Sequence, residues 1–99
     1  MSNAKETLRG LEYRRSDDGD TLWVGDECYY VLLNHNLKGT GYRISLFLLS
    51  GSRTNFVDKV LEFICADAKP ISILIHLETY LNYNKPAFEQ RTSAAKTNI

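Results

Sequence analysis

Apolar and polar positions alternate along much of the first half of the chain, the period of a half-buried strand rather than of a helix. Leu11 and Tyr13 fall on one side of an extended segment and Glu12 and Arg14 on the other, which predicts a strand over 8–15. The acidic run Ser16 to Asp20 around Gly19 suits a turn, and Thr21 to Val24, with its aromatic and β-branched residues, predicts the returning arm of a hairpin. Gly25 to Glu27 breaks the chain again. Cys28 to Leu33 is an apolar run of the kind that fills a buried strand. From Tyr42 to Leu49, Ile44, Leu46 and Leu48 point one way; Arg43 and Ser45 point the other, joined at the end by Phe47 and Leu49. That strand therefore needs cover on both faces towards its end.

Beyond Gly51 and Ser52, which are expected to end that strand, the period changes. Asn55 as cap, Asp58 in the first turn, and Phe56, Val57, Val60, Leu61 and Ile64 on one stripe predict a helix over 56–66. Ile71 to Tyr83 fits either period. Ile71, Ile73, Ile75 and Leu77 would line one side of a fifth strand, whereas Ile73, Leu74, Leu77, Tyr80 and Leu81 form a helical stripe. Thirteen residues without Gly or Pro exceed the usual strand of about 5 or 6, and Pro70 suits a helix's first turn, so length favours the helix. Lys85-Pro86 is expected to end it.

The predicted fold is α+β: a four-stranded antiparallel meander followed by two helices packed on one face. Residues 8–84 form the single domain, 1–7 an N-terminal segment, and 85–99 a tail without an apolar period, mobile or held by a partner.

Composition narrows function more by exclusion than by motif. Of 99 residues, 43% are hydrophobic and 24% charged, an ordinary globular mixture. Twelve basic and twelve acidic residues cancel, which weighs against a protein built to neutralise many phosphates. No apolar run approaches the roughly 20 residues that span a bilayer, and the N-terminus lacks the apolar core of a secretory signal; a cytoplasmic protein is expected. Two cysteines make no secreted-domain framework.

The segment Leu32 to Arg43, LLNHNLKGTGYR, most resembles a site. His35 has a near-neutral intrinsic pKa, but no carboxylate lies close in sequence to orient it, and Asn and Gly around it are what a chain reversal needs. Gly39 and Gly41 make no phosphate loop, since a strand rather than a helix follows. Cys28 and His35 stand seven residues apart and Cys65 and His76 eleven, spacings foreign to zinc knuckles, so neither metal nor cofactor is expected.

Tyr13, Trp23, Tyr29, Tyr30 and Tyr42, with Arg14, Arg15 and Arg43 among them, could stack single-stranded bases on a sheet, but β-propensity alone places tyrosines on strands. Glu78 falls inside the apolar sector of the last helix, where a carboxylate needs a partner or faces a cleft. The candidate ligand-binding residues are therefore His35, Tyr30, Tyr42, Arg43, His76 and Glu78. The leading expectation is a small non-catalytic binding or regulatory protein. The alternatives are a sheet-based single-stranded nucleic-acid binder and an enzyme using a His–carboxylate pair. Because the second apolar face, with Tyr29 or Tyr30, Phe47 and Leu49, requires cover, a homodimer is expected.

Overall fold

A computed structural model describes residues 3–50 and 53–98, without the side chains of residues 53–55 and 57. Gly51 and Ser52, expected to end a strand, lie outside the described residues. The chain runs β1 (Ala4–Leu8), β2 (Leu11–Ser16), β3 (Gly19–Val24), β4 (Glu27–His35), β5 (Tyr42–Ser50), β6 (Arg53–Cys65) and α1 (Pro70–Lys96). All six strands belong to one antiparallel meander in sequence order, so the expected α+β class holds while the count of four strands and two helices does not.

The first correction lies at the N-terminus. The strand expected over 8–15 is instead two, because Arg9 (φ 47°) and Gly10 (φ 87°) both adopt positive φ and fold Leu8 back onto Leu11. A two-residue turn of this hand matches the twist of the strands it joins, and glycine in second place lowers its cost. Turns at Asp17-Asp18 and Gly25-Asp26 follow where the sequence places them.

The second correction is the expected helix over 56–66, which is the long strand β6. Leu46 pairs with Leu61, but Phe47 pairs with Lys59 and Leu49 with Thr54, so β6 carries extra residues against β5 at two places. Each bulge breaks the two-residue period, and apolar side chains on either side of it then fall three and four apart. Those spacings imitate a helical stripe. Phe63 and Cys65, apolar but off that stripe, alternate with Leu61 in the regular part of the strand.

Ile71 to Tyr83 is helical, as length favours, with Pro70 in the first turn. The helix does not end at Lys85-Pro86. Asn84 leaves helical geometry (φ −131°, ψ 23°), its side chain donates to the Tyr80 carbonyl at 3.2 Å, and a second helical segment starts around Pro86, whose missing N–H is tolerated at such a start. Phe88, Thr92 and Ala95 then bury one stripe of residues expected to be an aperiodic tail. The Phe88 ring lies 5.3 Å from that of Tyr29, and the Tyr29 and Thr92 hydroxyls share a hydrogen bond of 2.8 Å.

Two residues on one turn of α1 reach opposite edges of the sheet. His76 stacks on Phe63 of β6, while Glu78 pairs with Arg9 of the β1–β2 turn at 3.1 Å. In a flat sheet with strands about 4.8 Å apart, the outer strands of six would stand about 24 Å apart. The sheet is therefore curled round the helix, with a core of Leu11, Tyr13, Leu22, Tyr29, Ile44, Leu46 and Leu48 against Ile73, Leu74, Leu77 and Phe88. A polar tie fixes the return from β6. Buried Asp20 accepts from the Tyr13 hydroxyl at 2.6 Å and from Arg15 at 2.8 Å, and Arg15 also donates to the Ala68 carbonyl at 2.7 Å.

Burial also makes the fold sensitive to alkali. It pushes the Cys65 thiol up to about 11 and the Tyr29 phenol to about 12, from ordinary values near 9 and 10. The unfolded chain releases these protons first, so the stability gained by holding both groups neutral is full below pH 9 and is lost as pH rises towards 11 and 12. Urea unfolding is expected to give about 3 kcal/mol less stability at pH 11 than at pH 8 from these two groups. A flat profile across that range would show that they are not buried as described.

Candidate functional site

The six candidate residues fall into three separate places. His35 closes β4 opposite Tyr42, the first residue of β5, with ring centroids 4.8 Å apart. The intervening residues are a turn: the Asn36 N–H donates to the Gly41 carbonyl at 3.1 Å, the Asn36 amide donates to the Thr40 carbonyl at 3.1 Å, and its oxygen accepts from the Lys38 N–H. Gly41 has φ +88°, and a side chain there would run into the backbone carbonyl of Cys65. Gly41→Ala is expected to cost about 2 kcal/mol in urea unfolding, from positive φ and collision together. The glycine that gave this segment the look of a site is required by backbone geometry.

Tyr30 and Arg43 lie on the outer face of the curled sheet, away from α1. Strand register sets that face in rows: Trp23, Cys28 and Leu49; Thr21, Tyr30 and Phe47; Leu32, Ser45 and Glu62; Asn34, Arg43 and Ile64. Apart from Thr21, apolar and aromatic side chains fill the first two rows. The extra residues of β6 bring Phe56 over them, its ring 5.3 Å from that of Phe47 and 5.6 Å from that of Tyr30. Phe47 is consequently only 5% exposed, covered by its own chain, while Phe56 itself remains 58% exposed. Trp23, Cys28, Tyr30, Leu32 and Leu49 are half-buried around them.

Ion pairs rim this apolar centre on both sides. On β2, Arg14 pairs with Glu12, and its guanidinium sits 5.9 Å from the centre of the Trp23 ring. On β5 and β6, Arg43 pairs with Glu62 at 3.2 Å, and Glu62 also takes Lys59 at 3.0 Å and the Ser45 hydroxyl at 3.3 Å. Lys59 first, with Ser45 and Arg43 after it, holds the Glu62 carboxyl below its ordinary range. Among the described residues, Arg14 and Arg43 on this face are thus both matched by carboxylates.

His76 and Glu78 belong to α1. The His76 ring stacks on Phe63 at 4.5 Å and 7°. It lines a groove of about 560 Å³ between α1 and the end of β6, where Ile64, Ile75, Thr79, Tyr83 and Asp67 also stand. Glu78 does not join it; half-buried, it accepts from Arg9 at 3.1 Å and from the Asn82 amide at 3.3 Å, the pairing that its place in an apolar sector demands.

Neither thiol suits nucleophilic work at neutral pH. Burial raises Cys28, with Arg14 opposing it only in part, and raises Cys65 further; both are free. Among the described residues no three His, Cys, Asp or Glu side chains gather to hold a metal ion. No helix among them is long and apolar enough to cross a membrane.

The sequence signal for the outer face was partial. Tyr30, Phe47 and Leu49 follow from alternation, but Trp23 and Cys28 join them only through register, and Phe56 only through the bulges of β6. The groove had no signal, since its strand wall reads as a helix. The chain therefore presents two candidate binding surfaces, an apolar outer sheet face and a groove at a sheet edge, and comparison with protein-family models, curated proteins and solved structures finds no match to it.

Proposed function

We propose that the protein is a small non-catalytic binding or regulatory module that works as a homodimer joined through the outer face of its sheet. The observation that carries this reading is the arrangement of that face: an apolar centre of Trp23, Tyr30, Leu49 and Phe56, bounded on two sides by Arg–Glu pairs. An apolar core within a polar rim is the anatomy of a protein interface. A second copy suits it as occupant, because each flank carries both signs and the whole chain has no net charge at pH 7, so two copies meet without repulsion. Two free thiols fit a reducing compartment such as the cytoplasm.

The same aromatic residues suggest single-stranded nucleic acid, but Glu12 and Glu62 occupy the arginines that would meet phosphate. The test is sedimentation velocity from about 1 to 100 µM, the range of a standard-sized interface. Twice the chain mass of 11.3 kDa is expected at the upper end. A species of one chain mass throughout, with salt-sensitive binding of a fluorescent oligonucleotide, would replace this reading with the nucleic-acid one.

A further inference from the structure

We infer that the groove between the free edge of β6 and α1 takes an extended segment of a partner protein, added to the sheet as a seventh strand, with alternating apolar side chains and a lysine or arginine at its Asp67 end. This rests on the reading of the chain as a binding module and names a partner chemistry for a surface separate from the outer face.

Three features argue for it. Among the described residues β6 pairs only with β5 and ends the sheet. The Cys65 carbonyl points at Gly41, towards β5. Backbone direction alternates along a strand, so the N–H and C=O groups of Glu62 and Ile64 point outward, and no strand among the described residues meets them. Folded proteins normally guard such an edge with charge, proline or cover. Here cover reaches only the earlier part of the strand, where Arg91 of α1 donates to the Lys59 carbonyl at 3.1 Å.

Secondly, beyond the charged Glu62 the surface beside this edge is apolar: Ile64 is 45% exposed, Ile75 53% and Tyr83 84%. Main-chain pairing to an edge with side-chain subsites alongside is the physical basis of strand addition. Thirdly, the groove has a sign. Among the described residues Asp67 is the one carboxylate that lines it, and no lysine or arginine does. The Lys69 N–H donates to Asp67 at 2.9 Å and so fixes its side chain at the end where the chain leaves β6 for α1. A cationic side chain complements that end, and an acidic one is repelled.

Two matched sets of fluorescent ten-residue peptides test this by anisotropy. Both alternate isoleucine or valine with serine or threonine; one carries a terminal lysine, the other a glutamate there. The lysine set is expected to bind at least about tenfold more tightly. Asp67→Lys should reverse that order, and Ile75→Glu should weaken the lysine set at least about tenfold. Ile75 is solvent-facing and Asp67 half-buried, and unchanged circular dichroism confirms the fold of both variants. The inference is overturned if neither set binds at about 1 mM, or if Ile75→Glu leaves binding intact. It is also overturned if Ile75→Glu lowers the sedimenting mass instead, which would make a second copy the occupant. Failure of the outer-face dimer would appear separately, as loss of mass dependence on Trp23 with peptide binding unaltered.

Discussion

Trp23→Glu is expected to dissociate the dimer, raising its dissociation constant at least about 100-fold. Tryptophan is among the residues that most often dominate an interface, and truncating one at its centre costs about 2 kcal/mol or more. The glutamate adds a second penalty, because a two-fold interface receives every substitution twice and would bury two new carboxylates without partners. Within one chain the change costs less but is not neutral: Trp23 is half-buried, carries the Arg14 guanidinium at 5.9 Å, a contact worth about 0.5–1 kcal/mol at such a site, and stands opposite Glu12, so the new carboxylate also meets a like charge. Sedimentation equilibrium should thus report one chain mass for a protein that still unfolds cooperatively. Trp23→Phe, which keeps an apolar ring, should remain dimeric. A dimer as tight for Trp23→Glu as for the parent would place the interface elsewhere.

The second large effect lies on the opposite side of the sheet. Phe88→Ala is expected to lower the unfolding free energy by about 3–4 kcal/mol, within the usual cost of removing a buried phenyl group. Phe88 is 2% exposed and packs its ring against Tyr29 at 5.3 Å and Tyr80 at 6.5 Å. The same contact seats the second segment of α1, which is tied at its far end by Lys96 to Glu27 and by Asn98 to Asp58. Urea titration followed by circular dichroism gives the measurement. A loss below about 0.5 kcal/mol would mean that residues 86–96 add little to the core. For a small domain stable by about 5–15 kcal/mol, the expected loss is a large share of the total.

How far these positions could be read from the sequence depends on whether one physical rule governed each segment. β3, β4 and β5 were legible because alternation, β-propensity and turn residues agree. The first segment of α1 was legible from its length and Pro70. β6 was misread because bulges replace its two-residue period with helical spacings, and only pairing with β5 defines it as a strand. The tail was misread for a different reason. Thr92 is polar by type yet buried, since its hydroxyl meets that of Tyr29, so a stripe of Phe88, Thr92 and Ala95 does not look apolar.

The candidate residues divide along the same line. Glu78 was flagged by the cost of a carboxylate in an apolar sector, and a partner, Arg9, is what the structure supplies. His35 was flagged by residue type, and it closes a strand beside a turn. The need for cover on the second face was legible in Phe47 and Leu49, whereas Phe56 as partial cover was not, because it arrives through an irregularity in β6. What Phe56 leaves uncovered, centred on Trp23 and Leu49, is the surface assigned to the second copy.

Trp23 is the chain's single tryptophan and stands within that surface beside its Arg14–Glu12 rim, so its fluorescence reports the proposed contact without any label. On dilution from about 100 µM to below 1 µM, its emission maximum should move to the red over the range in which the sedimenting mass falls from two chains to one. Emission that stays constant while the mass halves, or a mass of one chain at every concentration, would contradict the assignment of the outer sheet face as the interface.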